Sequence, residues 1–220
     1  MLRLLILSAV FPLFVLPVAG RWDWVMGWCV ALIMAVTTVI SRILVLKVNP
    51  DLIEERAASM SAEDAKPWDR ILAPAMAITP LLVLVVASLD ERFGWSRDMS
   101  LPLQLFGLTL LVAGYILATW AMLENRFFSG VVRIQKERGH EVVSSGPYAY
   151  VRHPGYTGSL VATVGMALAM SSVWAFAAVL LVLIVTVVRT ALEDATLMEE
   201  LPGYAEFANR TRYRLMPHIW

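Results

Sequence analysis

A chain of 220 residues that is 59% hydrophobic and only 16% charged, with a mean hydropathy of +0.67, is not an ordinary soluble domain. Its net charge of zero gives nucleic acid no electrostatic foothold, and its single cysteine, Cys29 in an apolar run, excludes an intrachain disulfide and argues against a thiolate metal site. Uncharged runs of about twenty residues instead match a hydrocarbon core of roughly 30 Å, the signature of a polytopic membrane protein.

In chain order, the first apolar block, 2–19, follows Arg3 and ends LPVAG. It reads as a span, with a cleaved signal peptide as the alternative that Pro17 disfavours. A second block covers 24–46. The charged segment 47–70, KVNPDLIEERAASMSAEDAKPWDR, reads as a solvated connector with a short helix. Asn49 and Pro50 start it, Ser61 can cap a second turn, Pro67 ends it and Trp68 anchors at the interface. Blocks 71–89 and 101–123 give two more spans. Block 157–188 is too long for one span, and the small polar Ser171 and Ser172 in MSSVWA divide it into a helical hairpin.

The expected fold is therefore all-α, a polytopic integral membrane bundle of about six transmembrane helices. Residues 1–123 hold four N-terminal spans with the loop 47–70. Residues 124–220 hold a core built from the loop 124–156, the hairpin 157–188 and a C-terminal cytoplasmic helix 189–220. Fourteen Lys and Arg then fall on one face and three, Arg21, Arg92 and Arg97, on the other, with Arg42 inside a span. That asymmetry predicts N- and C-termini in the cytoplasm.

The loop 124–156 opens with ENRFFSG, which places Glu124, Asn125 and Arg126 at the end of a span and lets Phe127 and Phe128 return to the interface. In GHEVVSSGPY, Val142 and Val143 suggest a short extended piece before the Gly146-Pro147 turn. The segment GPYAYVRHPGYTG, residues 146–158, then meets a nearly unbroken apolar run. Its prolines and glycines make a continuous helix too costly, so it must be a shaped loop. Beyond that run the pattern turns helical, and the Pro202-Gly203 pair kinks or interrupts it.

Arg189 and Glu193 lie four apart on one helical face, with Asp194 adjacent, just after the uncharged run 157–188. Charges at that depth are costly unless paired or functional. The plainer reading is a snorkelling cluster at a helix end, with His153 a packing residue. The hairpin, however, returns these charges to the face that carries Tyr148, Arg152, His153 and Tyr156. Aromatic rings, guanidiniums, an imidazole and carboxylates then converge on one apolar concavity that opens sideways to lipid. No Gly-rich phosphate loop follows a strand and no HExxH pattern occurs, so Rossmann, P-loop and metal chemistries gain no support.

Three stretches carry a family resemblance: ENRFFSGVVRIQKERGHEVVSSGPYAYVRHPGYTG, RTALED and LPGYAEFANRTRYRLMP, with NPDLIEERA and KPWDR alongside. They resemble the isoprenylcysteine carboxyl methyltransferase family, membrane enzymes that use S-adenosyl-L-methionine, and most closely its bacterial members. The resemblance covers roughly 47–70 and 124–217. It implies a cofactor site at Gln135, His140, Val142, Val143, Gly146, Tyr148, Arg152, His153, Pro154 and Tyr156. It implies catalytic roles for Arg189, Glu193 and Asp194, substrate contacts from Asn125, Arg189 and Tyr204, and no metal. The family commonly has Glu where this chain has Asp194, so either Glu193 or Asp194 is the functional acid. Phe207 stands where Tyr is frequent.

The implied activity is methyl transfer to a lipophilic acceptor arriving from the membrane lipids, most simply the carboxylate of a prenylcysteine-like compound, in a bacterial inner membrane. Arg189 is the natural group to orient such an anion. Two alternatives within reach are a phospholipid amine acceptor and an NADPH-dependent sterol reductase-like enzyme. A non-catalytic lipid-binding protein with a vestigial pocket is a third.

Overall fold

The computed structural model describes residues 14–59 and 64–220. Among them eight α-helices and two short 3-10 turns occur, and no strand. Four helices are long and apolar enough to cross a membrane: α2 (Val25–Val48), α4 (Asp69–Phe93), α5 (Leu101–Glu124) and α7 (Ala175–Glu200). The others are α1 (Val15–Ala19), α3 (Pro50–Ala58), α6 (Pro154–Ala169) and α8 (Tyr204–Arg210). Most of the first expected span, and Ser61, lie outside the described residues. The block 157–188 does break where the small polar residues sit. Its first arm, α6, has 16 residues, about 24 Å at 1.5 Å per residue and shorter than a hydrocarbon core.

The C-terminal region differs from the single helix expected over 189–220. Residues 189–200 continue α7 without a break, the Pro202-Gly203 pair interrupts the chain, and α8 ends at Arg210. Gly203 takes φ +83°, a left-handed conformation that cannot extend the helix. The residues after Thr211 instead fold back on themselves, with the amides of Arg214 and Leu215 bonded to the Trp220 carbonyl. Val142 and Val143 likewise form no strand, because no neighbouring chain offers them a ladder.

The chain divides into two compact units. The first takes residues up to Ile43, Ala77–Ile116 and Gly158–Leu183. Its core gathers Leu16, Val30, Val83, Leu111, Met166, Met170 and Val182, all buried. A Cβ on Gly107 would stand 2.4 Å from the Ala169 nitrogen, and one on Gly114 would stand 2.4 Å from the Gly158 carbonyl. Only bare backbone lets these parts of α5 and α6 pack so closely, the usual device where lipid supplies no hydrophobic drive between helices. The turn between α6 and α7 is set by Ser171 at φ +59° and by Ser172, whose hydroxyl accepts the Ala175 amide at 3.0 Å as an N-cap.

The second unit takes Leu44–Met76, Leu117–Thr157 and Ile184–Trp220. Pro50 opens α3, where its fixed φ suits the first helical position. Asn49 does not cap α3 with its side chain. Its amide donates instead to the carbonyls of Met122 and Leu123 at 3.3 and 2.8 Å, satisfying groups that the end of α5 leaves open. Ala121, Tyr148, Leu201, Tyr204, Phe207 and Ala208 form one buried cluster of this unit, and Ala65, Ala73 and Val131 a smaller one.

Candidate functional site

The second unit holds a partly open cavity with about 90 Å³ of free space. Its wall comes from the loop 125–156, the last turns of α7, and α8. Gly146 shapes the loop at φ +55°, where a Cβ would also meet the Glu124 carboxylate at 2.7 Å. Pro147 then starts the 3-10 turn Gly146–Ala149, which buries Tyr148. Gly155 lets the Phe128 ring lie against the backbone, since a Cβ there would sit 2.6 Å from that ring.

The amides of Arg152 and His153 donate to the carbonyls of Tyr213 and Arg214, both at 2.9 Å. The Thr157 hydroxyl donates to Leu215 at 2.7 Å. These bonds pin the C-terminal segment beside the start of α6.

Two buried charge clusters frame the cavity. The first centres on Asp194. Arg152 Nη2 and Arg214 Nε donate to its Oδ2 at 2.9 and 2.8 Å, and the Tyr204 hydroxyl donates to Oδ1 at 2.8 Å. His153 Nε2 stands 3.4 Å from the same Oδ1, and Arg152 Nε at 2.8 Å makes an ion-pair contact too misaligned for a hydrogen bond. Arg152 Nη1 turns to the carbonyls of Ala208, Thr211 and Arg212, so the guanidinium staples the chain after α8. Burial, then the negative charge of Asp194, raises the Tyr204 phenol far above its ordinary range, so it stays a donor.

The second cluster centres on Arg189. Its Nε and Nη2 grip the two oxygens of Asp69 at 2.7 and 2.9 Å, and Nη2 also reaches the Gly130 carbonyl at 3.1 Å. Nη1 donates to the Tyr156 hydroxyl, which donates in turn to Glu193 Oε2 at 2.6 Å. The His153 and Tyr156 rings stack with centroids 5.7 Å apart and planes 2° from parallel.

These bonds separate the two acids. Glu193 lines the cavity, and its Oε1 has no protein partner among the described residues. Asp194 does not line it and is fully engaged.

Of the residues implied for the cofactor, His140, Val142, Val143, Tyr148, Arg152, His153 and Tyr156 line the cavity, while Gln135, Gly146 and Pro154 do not. Gln135 is fully buried and donates to the Phe127 carbonyl at 2.8 Å, which holds the loop that carries the wall. Asn125, Arg189 and Tyr204 all line the cavity. The fork of Arg189, expected to face an anionic acceptor, is closed on Asp69 instead. In the sequence Asp69 lies in the charged connector, within KPWDR, and no local pattern ties it to a residue 120 positions away. No local pattern ties Arg214 to Asp194 either.

The His140 ring lies against Phe127 with centroids 4.6 Å apart and planes tilted by 31°, and its Nδ1 accepts the Gln135 amide at 3.3 Å, which requires a neutral ring. Burial, with Arg133 and Arg138 nearby, pushes its pKa down from 6.5 to about 4. An unfolded chain takes up this proton near pH 6.5 and the folded one only near 4. The stability that neutral His140 gives is therefore whole above pH 6.5 and lost as pH falls towards 4. In thermal unfolding at graded pH, the drop in midpoint across this window should be smaller for His140→Gln than for the wild type.

Residues 103–203, which supply most of this wall, match the family model described as Phospholipid methyltransferase. A domain of that family occupies this stretch. Protein-S-isoprenylcysteine O-methyltransferase B of Arabidopsis thaliana is 39% identical over 61 residues, 27% of this chain and 31% of its own length. A probable protein-S-isoprenylcysteine O-methyltransferase of Oryza sativa subsp. japonica is 37% identical over 60 residues, with the same two shares. The cobalt-zinc-cadmium resistance protein CzcN of Cupriavidus metallidurans is 32% identical over 122 residues, 53% of this chain and 49% of that protein. The chain thus spans about a third of the plant relatives and about half of the bacterial one. Asp69, Tyr204 and Arg214, three partners of the charge clusters, lie outside the phospholipid methyltransferase domain's matched residues.

Proposed function

We propose that this chain is an integral membrane methyltransferase that uses S-adenosylmethionine to methylate a lipophilic acceptor. One observation carries the reading. The carboxylate of Glu193, with one oxygen unpartnered, shares with Tyr148, Tyr156 and Tyr204 a cavity whose wall comes mostly from the stretch that matches the phospholipid methyltransferase family.

The residues fit the cofactor. An adenine needs a flat apolar slot, and Phe127, His140, Val142, Val143 and Leu197 offer one. A cationic centre needs a carboxylate and ring faces, which Glu193 and the tyrosines provide. When bound, the cofactor supplies an electrophilic methyl group on a sulfonium. The protein's part is to hold the reactants in line and keep water away, the work of Phe127, Phe128, Leu201 and Phe207 in the wall.

Charge balance supports an anionic acceptor. Arg152, Arg189 and Arg214 face Asp69, Glu193 and Asp194 across the two clusters, and a donor of net positive charge leaves that set short of one anion. A carboxylate restores the balance and needs no general base, so a prenylcysteine-like acid is the favoured acceptor. The family description favours a second reading, transfer to a phospholipid amine, which must first lose a proton. A reductase would need free cations for dinucleotide phosphates, whereas Arg152 and Arg189 are both committed to carboxylates.

Calorimetry on detergent-purified protein tests the reading. S-adenosylhomocysteine should bind and NADPH should not. Labelled methyl groups should pass to a farnesylated cysteine with a free carboxylate, but not to the same compound as its amide. Binding of NADPH alone, or of neither ligand, overturns the proposal, and transfer only to phosphatidylethanolamine vesicles moves it to the second acceptor.

A further inference from the structure

The geometry points to Asp69 as a positioning residue that keeps Arg189 off Glu193, and so leaves the Glu193 carboxylate open to the cavity. This rests on the methyltransferase reading above.

Asp69 opens α4 and is fully buried. Besides the two bonds from Arg189, its Oδ2 accepts the Val132 amide at 2.6 Å, so the carboxylate is itself fixed from a third direction. A guanidinium carries five N–H groups and no lone pair. Asp69 and the Gly130 carbonyl take three of the five, and the Tyr156 oxygen takes another. Because Arg189 can only donate, the Tyr156 hydroxyl must aim its own proton at Glu193 Oε2. Donation therefore runs outward from Arg189, to Asp69 on one side and through Tyr156 to Glu193 on the other.

Arg189 and Glu193 also stand one helical turn apart on α7, the spacing at which such side chains pair directly. A buried guanidinium that loses its partner must find another. Without Asp69, Glu193 is within reach of that fork, and a direct pair would cover Oε1, the oxygen without a protein partner. Asp69 thus acts on the cavity through Arg189 alone, although it does not line the cavity itself.

The test compares S-adenosylmethionine, which carries a sulfonium, with S-adenosylhomocysteine, which does not. Both are titrated by calorimetry into the purified full chain. In Asp69→Asn the affinity for the cationic ligand should fall about tenfold relative to the neutral one, the scale of one lost charge-assisted contact. General damage would weaken both alike. The double variant Asp69→Asn/Arg189→Gln removes the intruding guanidinium and should recover most of the lost preference, where a structural role predicts a further loss. Asp69→Glu keeps the charge and should hold the preference within about threefold of the wild type.

An unchanged preference in Asp69→Asn, or no recovery in the double variant, overturns the inference. So does the failure of both Asp69→Asn and Asp69→Glu to fold, which would make the pair a staple of the fold. A wild-type chain that binds neither ligand would instead defeat the methyltransferase reading itself.

Discussion

Glu193→Gln should lower methyl transfer by about two to three orders of magnitude while the protein stays folded, the loss expected when a preorganised electrostatic group is removed from a dry site. The substitution keeps the size of the side chain and an oxygen able to accept the Tyr156 hydroxyl, now at 2.6 Å. It removes only the negative charge. Because Glu193 is 21% exposed at its side chain, the change leaves no buried ion stranded. Initial rates with a labelled methyl donor, read beside a thermal melt in detergent, check the expectation. A rate within about threefold of the wild type would show that Glu193 does not act on the reacting groups.

Asp194→Ala should behave in the opposite way, destroying the fold before any question of rate arises. Its side chain is 3% exposed and faces Arg152, Arg214, Tyr204 and His153. Removing it strands the Arg152 guanidinium, itself 8% exposed, without a counter-ion. Breaking a buried pair from one side costs about 3–5 kcal/mol, a large part of the roughly 5–15 kcal/mol that holds a typical domain together. The expected result is little folded protein, or a much lowered unfolding midpoint. A variant that melts with the wild type yet fails in transfer would instead return Asp194 to the chemistry.

The contrast between these neighbours shows what one sequence can and cannot disclose. The apolar blocks, the break at Ser171 and Ser172 and the interruption at Pro202-Gly203 were legible, because hydropathy and turn chemistry are local. The convergence of Tyr148, His153, Tyr156, Arg189 and Glu193 was legible too, once a hairpin returned the chain to one face. The division of labour between Glu193 and Asp194 was not. Successive residues on a helix point about 100° apart, so one faced the cavity and one faced away, and only the packing of α7 decides which. Asp69 was illegible for a simpler reason: a buried carboxylate and its guanidinium need no fixed separation along the chain. Gln135, Gly146 and Pro154 came with the family pattern, yet none of them lines the cavity, and a pattern of residues does not record that difference.

The Asp194 cluster also imposes a timetable on biosynthesis. Arg152 leaves the ribosome 42 residues before the carboxylate that neutralises it, and Arg214 follows Asp194 by another 20. At about 5–20 residues per second, Arg152 waits roughly 2–8 s for its partner. Throughout that interval its charge must remain hydrated or be sheltered by the insertion machinery, because lipid offers no substitute. The polar knot can be tied only after both arms of the last hairpin have been made, so the order of translation delays assembly of the candidate site until that hairpin is complete.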